Sequence, residues 1–168
     1  MILRPGFRFV FSHPAHFISF GFGAGLSPFA PGTAGTLVGF PLFWLVGARS
    51  SPWEMLAIVA VLFGIGVWAC GITGRNLGIS DHGGMCWDEI VAFLLILEVA
   101  PDDLYWQVAA FFLFRAFDVV KPSPIRELEM RMKGGFGVMF DDLIAACYAY
   151  VVLIVIVVVE HKIFPGAP

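Results

Sequence analysis

Leu143 to Val159 is a run of 17 residues without a single charge. At about 1.5 Å of rise per residue, such a run makes a helix of about 25 Å, enough for one short membrane span. The rest of the chain gives it no polar counterweight. Of 168 residues, 59% are hydrophobic and 14% charged, well outside the composition of ordinary soluble domains. The chain is therefore expected to be an integral membrane protein. A net charge of −3, with both signs mixed, argues against nucleic acid as a partner and makes the placement of charge matter more than its total.

Further apolar segments follow from the same reading. Thr33 to Gly47 carries no charge, and Pro52 to Ile72 has only Glu54 near its start. Asp88-Glu89 opens an apolar run to Ala100, and Pro101-Asp102-Asp103 makes a turn in which an Asp can cap a helix from Leu104 to about Val120. With Leu143 to Val159 these make about five hydrophobic helices in a membrane-embedded bundle. The third and fourth are short, which suits tilted or shallow segments as well as full spans. Residues 1 to 20 mix Phe7, Phe9, Phe11, Phe17 and Phe20 with Arg4, Arg8 and two histidines. They read either as a segment lying along the membrane surface or as a poorly ordered tail. Their apolar stretch is broken by Ser12, His13, Pro14 and His16, wrong for a signal peptide, so the mature chain is expected to begin at Met1. From Gly21 to about Gly32 the glycines and prolines predict a loop that opens a helix.

If the spans alternate, residues 1 to 33, 73 to 89 and 115 to 142 share one side of the membrane. Eight of the ten cations fall there: Arg4, Arg8, Arg75, Arg115, Lys121, Arg126, Arg131 and Lys133; only Arg49 and Lys162 fall opposite. The excess of Lys and Arg predicts that this side faces the cytoplasm.

Alternation also gathers the carboxylates. Asp88, Glu89, Asp118, Asp141 and Asp142 would form a group at one membrane face, where like charges repel unless a cation sits among them. A divalent metal is the simple solution, and all-oxygen ligation favours a hard ion such as Mg²⁺, usually completed by phosphate oxygens. Arg115, Lys121, Arg126, Arg131 and Lys133 are cations suited to outer phosphate oxygens, and backbone N–H groups near Gly134, Gly135 and Gly137 could form an anion nest. Gly32 and Thr33, opening a helix, offer a second anion site. Together they point to phosphoryl chemistry on a lipid head group. Each has a plainer reading. Arg115 and Asp118, three residues apart, can neutralise one another. Asp88-Glu89 and Asp141-Asp142 can be the caps and first turns of their helices. The cations can be topology signals or contacts to anionic lipid.

Several chemistries are excluded. A thiol phosphatase needs five residues between Cys and Arg, and Cys70 to Arg75 has four. No DxDx nucleophile pair is present, His13, His16, His82 and His161 lie in no lipid-phosphatase histidine setting, and the CDP-alcohol phosphotransferase helix pair is absent. Cys70, Cys86 and Cys147 have no metal spacing and read as reduced thiols.

Three blocks resemble the bacterial phosphatidylglycerophosphatase A family. They are Gly23-Ala-Gly25-Leu-Ser-Pro28-Phe-Ala-Pro31-Gly32-Thr33-Ala-Gly35-Thr36, Trp87-Asp88-Glu89-Ile-Val91, and Phe114-Arg115-Ala-Phe-Asp118-Val-Val-Lys121-Pro122-Ser-Pro124-Ile continuing through Lys133-Gly134-Gly135-Phe-Gly137-Val-Met-Phe-Asp141-Asp142-Leu-Ile-Ala145. The resemblance implies an all-α fold over one membrane-embedded domain, residues 1–168. It also implies Mg²⁺-dependent hydrolysis of the phosphomonoester of phosphatidylglycerophosphate at the inner membrane. Carried over by position, Asp88, Glu89, Asp118, Asp141 and Asp142 would be metal ligands or acid–base groups, with Lys121 and Lys133 as phosphate binders. The segment Asp81-His82-Gly-Gly-Met-Cys-Trp87 departs from the family pattern, so no role is carried to Asp81 or His82. The alternatives are a metal-dependent phosphatase for another anionic phosphomonoester and a small transporter subunit, although no internal repeat is visible and the charges cluster at one face rather than the midplane.

Overall fold

The uncharged run at the C-terminal end lies inside a 30-residue helix, Gly134–Ile163, and the run that begins at Pro52 forms a 26-residue helix, Pro52–Leu77. The structure is a computed structural model describing residues 5–47, 50–123, 127 and 132–163. Among the described residues these are the two helices long and apolar enough to cross a membrane. Their lengths, about 39 and 45 Å, exceed the roughly 30 Å of a bilayer's hydrocarbon core.

All regular elements of the described residues are helical. In order they are α1 (Phe7–Val10), α2 (Pro14–Ser19), a 3-10 turn (Gly21–Leu26), α3 (Pro31–Leu42) continued by a π turn (Phe43–Gly47), α4 (Pro52–Leu77), α5 (Trp87–Val99), α6 (Leu104–Val120) and α7 (Gly134–Ile163). Local chemistry sets several of the ends. Ser51 and Glu54 form a capping box at the start of α4, with Ser51 N–H donating to Glu54 Oε2 at 2.7 Å and Pro52 in the first turn, so the only carboxylate of that run satisfies a helix end rather than entering the bilayer. Asp103 Oδ1 accepts from Tyr105 N–H at 2.7 Å and caps α6 as its sequence predicts.

Helix α5 is the centre of the packing. It is buried on nearly every side and touches α3, α4, α6 and α7, which is why its sequence is apolar all round rather than striped. Phe93 near its middle meets Phe40 of α3 and Phe111 and Phe114 of α6, with ring centroids 5.1 to 6.0 Å apart. At 13 residues α5 is about 20 Å long, shorter than a bilayer core. Helices α4 and α7 approach backbone to backbone at Gly135, where a Cβ would fall on the carbonyl of Val67, and Gly66 leaves the room that the Met139 side chain of α7 fills.

The helices alternate in direction, so α3, α5 and α7 begin where α4 and α6 end. At the opposite end Trp44 Nε1 donates to Gln107 Oε1 at 3.2 Å, and Trp44, Trp53, Tyr105 and Trp106 sit at that end together. Such an aromatic set suits a membrane–water interface.

The structure departs from the sequence reading in three places. Over their described part the first 20 residues are not a loose tail but two short helices packed on the bundle, with Phe7 and Phe11 left exposed. α1 and α2 fold back so that Val10, Ala15, His16 and Ser19 are buried, and α2 packs on α4. His16 explains why: one ring nitrogen meets Asn76 Nδ2 at 2.9 Å and the other meets the carbonyl oxygen of Phe9 at 3.0 Å. Second, the Gly-Pro stretch coils through a 3-10 turn, and α3 opens at Pro31, two residues before Thr33, because proline suits the first helical position. Third, α7 begins at Gly134, well before Leu143. The glycines that read as a turn are helical because their bare backbone lets α7 close onto α4, a tertiary gain that overrides poor helix propensity.

Candidate active site

The earlier start of α7 changes what Asp141 and Asp142 are. They lie about two turns inside the helix, so they are not its cap. Asp88 and Glu89 do occupy the first turn of α5, yet Cys86 is the cap residue there and no side chain caps the helix. Asp118 stands in the last turn of α6. Alternation brings these helix ends to one end of the bundle, and Asp88, Asp118, Asp141 and Asp142 are all buried there.

Three carboxylates come closest: Asp88, Glu89 and Asp142 each offer an oxygen, all within 4.8 Å of one another. Asp88 Oδ1, Glu89 Oε2 and Asp142 Oδ2 are buried without a hydrogen-bond partner. Buried carboxylate oxygens this close are costly unless a cation or protons compensate them. An all-oxygen donor set with open valences fits a hard divalent cation such as Mg²⁺ and does not fit a soft one.

Arg115 binds the next layer. Its Nη1 is 3.3 Å from Glu89 Oε1 and 3.5 Å from Thr36 Oγ1, and it pairs with Asp118 Oδ2 one turn along α6. The Arg115–Asp118 neutralisation that the spacing allows is therefore present, but the same guanidinium ties α6 to α5 and α3. Its Nε is buried and has no hydrogen-bond partner. Gly32 makes this closure feasible, because a Cβ there would fall on the Glu89 carboxylate.

Thr36 is the residue that sequence reasoning passed over. It is fully buried, donates to the Gly32 carbonyl at 3.0 Å and faces Arg115. Thr33 is half-buried one residue after Gly32, and the hydroxyl that reaches Arg115 belongs to Thr36. The available signal was the i, i+4 spacing from Gly32, which puts both on one helix face. Thr36→Val, nearly isosteric, is expected to lower kcat/KM about tenfold, in line with one lost charge-assisted hydrogen bond. An unchanged melting temperature would separate positioning from folding.

Lys121 closes α6 in the left-handed region at φ 42°, costly for a residue with a side chain, and its Nζ lies 2.7 Å from Asp141 Oδ2. The backbone thus turns Lys121 toward α7 instead of solvent. Lys133 is exposed beside the start of α7. Gly134, with φ 78°, needs to be glycine for its backbone, while Gly135 is the close approach to α4. Packing therefore accounts for Gly135 without any anion. Arg126 and Arg131 lie outside the described residues. His82 is half-buried in the loop before α5, where its Nδ1 accepts from Gly84 N–H at 3.0 Å and burial pushes its pKa below the usual histidine value. It shapes the loop in its neutral form. Cys70 and Cys86 are buried free thiols and Cys147 an exposed one.

The family model for phosphatidylglycerophosphatase A matches residues 17–157. The chain is 39% identical over 140 residues to the phosphatidylglycerophosphatase A of Escherichia coli K12, an alignment covering 82% of this chain and 80% of that protein. It is 41% identical over 150 residues to the Haemophilus influenzae Rd protein of the same name, covering 86% and 89%. A Bacteroides thetaiotaomicron protein, provisionally named as a phosphatidylinositol-3-phosphatase, is 40% identical over 145 residues, covering 82% and 90%. No solved structure matches the chain.

Proposed function

The chain belongs to the phosphatidylglycerophosphatase A family, and from that membership we propose that it hydrolyses the phosphomonoester of phosphatidylglycerophosphate, giving phosphatidylglycerol and phosphate with Mg²⁺ as cofactor. The observation that carries the metal-dependent reading is the convergence of Asp88, Glu89 and Asp142, from two helices, with an unpartnered buried oxygen on each. A helix cap or a surface ion pair would not leave three neighbouring carboxylates each with a buried, unpartnered oxygen.

Asp88, Glu89 and Asp142 would hold the ion, and Asp118 and Asp141 hold the cations beside it. Bound Mg²⁺ supplies charge and Lewis-acid polarisation to a phosphoryl oxygen. The chain's own groups do the rest. Asp141 fixes the Lys121 ammonium, and Glu89 with Asp118 fixes the Arg115 guanidinium, so both cations are preorganised for an anionic group and need no reorganisation when it arrives. Arg115 Nε is a buried donor without a hydrogen-bond partner, and we assign it to a phosphoryl oxygen of the bound substrate. Lys133, exposed beside the start of α7, would meet the substrate from outside, with Gly134 N–H and the start of α3 at Gly32 and Thr33 as further donors; Arg126 is proposed as a further phosphate-binding cation on its sequence position alone.

The proposed setting is one membrane-embedded unit over residues 1–168 in the bacterial cytoplasmic membrane, with α3 and its π turn, α4, α5, α6 and α7 as the hydrophobic helices and the site on the cytoplasmic side. The excess of Lys and Arg at the site end supports that orientation.

The direct test is phosphate release by the purified protein from phosphatidylglycerophosphate, with Mg²⁺ and with EDTA. Turnover is expected with Mg²⁺ and a fall to background with EDTA; release that persists in EDTA would overturn the metal assignment. The Bacteroides relative's name makes a phosphoinositide a fair second substrate for the same assay. Cleavage of that lipid and not of phosphatidylglycerophosphate would move the chain to another phosphomonoester while leaving the chemistry in place.

A further inference from the structure

An apolar groove of about 340 Å³ opens on the outer surface between α5 and α7, lined by Leu95, Ala146, Cys147, Tyr150 and Val151. Its place follows from helix periodicity. Leu95 is seven residues after Asp88, on the same face of α5, and Ala146 is four residues after Asp142, on the same face of α7. Both helices run away from the carboxylates in the same direction, so the groove extends from about 6 to about 14 Å beyond them along the helix axes. That depth stays within one leaflet, whose hydrocarbon is about 15 Å thick. The groove also differs from the surface beyond it. Val155, Ile156 and Val159, farther along α7, are exposed as Val151 is, but they line no part of the groove.

We propose that this groove holds an acyl chain of the phospholipid whose terminal phosphate is bound by the carboxylate and cation cluster. The inference rests on the proposed phosphatase reading and deepens it by assigning a second contact to the lipid. The headgroup lies along the first turn below Asp88 and Asp142, and the chain lies in the concavity beneath. An anchored chain holds the phosphate at the site without the lipid leaving its leaflet. It also favours long-chain lipids over deacylated phosphomonoesters, which have nothing to put there.

Two measurements test it. The first uses groove-filling variants at exposed positions, Cys147→Trp and Val151→Trp, with Val155→Trp as a control outside the groove. With a long-chain diacyl phosphomonoester in mixed micelles, the groove variants are expected to raise KM about tenfold, the equivalent of roughly two buried methylenes, with kcat unchanged. Hydrolysis of the deacylated phosphomonoester is expected to be unchanged. An equal loss on both substrates, no loss on either, or the same loss with Val155→Trp would overturn the groove assignment.

The second is independent of turnover. The full-length protein is reconstituted in phosphatidylcholine vesicles containing phosphatidic acid with a diazirine-bearing chain, and the cross-linked residues are mapped. Label concentrated on Leu95, Tyr150 and Val151 relative to Ile156 supports the groove. Even labelling along α7, or the same pattern from diazirine-bearing phosphatidylcholine, which has no phosphomonoester, would reduce the groove to ordinary lipid-facing surface. Concentrated labelling without turnover of any phosphomonoester would sink the phosphatase reading and leave the lipid site standing.

Discussion

Asp142→Asn is expected to remove phosphate release by about a thousandfold or more while leaving the protein folded. Asp142 supplies one of three oxygens that meet from α5 and α7, and losing one such electrostatic contact at a reacting centre typically costs about 10²–10³ in rate. The loss of a metal ligand adds to that. The stability change should run the other way. Without divalent metal the wild-type cluster holds buried carboxylates of one sign, so replacing one by a neutral amide relieves repulsion and the variant should melt no lower than the wild type in EDTA. Adding Mg²⁺ should raise the wild-type melting temperature, since a ligand at about a hundred times its Kd stabilises by about 2.7 kcal/mol. The same addition should leave the variant nearly unmoved. Retained turnover in Asp142→Asn would demote the residue to packing.

Arg115→Met is expected to lower stability as well as turnover. The guanidinium is mostly buried and touches Glu89, Asp118 and Thr36, so removing it strands buried carboxylates. Breaking a buried pair from one side typically costs about 3–5 kcal/mol. Thermal unfolding in detergent with EDTA should show that loss, and Mg²⁺ should recover part of it by supplying the missing positive charge. A variant as stable as the wild type in EDTA would mean that Arg115 is not the counter-ion of Glu89 and Asp118.

The helices were legible where one kind of interaction decides them. Asp103 before an apolar run predicts the cap of α6, and the lone Glu54 marks a helix start. Alternation of the segments was enough to gather Asp88, Glu89, Asp118, Asp141 and Asp142 at one end. It was not enough to say which three would bring oxygens together, because that depends on helix rotation set by Phe93, Gly32 and the other contacts of α5. The start of α7 was hidden for a similar reason. Gly134 to Gly137 has the composition of a turn, and only the neighbouring α4 backbone makes it helix. Thr36 looked like one more small residue of a helix until Arg115 arrived beside it from a distant segment. The left-handed backbone of Lys121, which aims its ammonium at Asp141, breaks a local rule and so could not be read from local rules.

The close crossing of α4 and α7 bears on how the protein comes to exist. Once two helices have been inserted separately, surrounding lipid tails are as apolar as the helices themselves, and association depends on close van der Waals contact, which small residues permit. Gly66 on α4 and Gly135 on α7 give that contact, and the same crossing sets α7 in the register at which Asp142 meets Asp88. A bulky residue at either glycine would therefore injure biogenesis before chemistry. Cells carrying it would lack assembled protein rather than accumulate an inactive one, whereas a lesion at Asp142 would do the reverse.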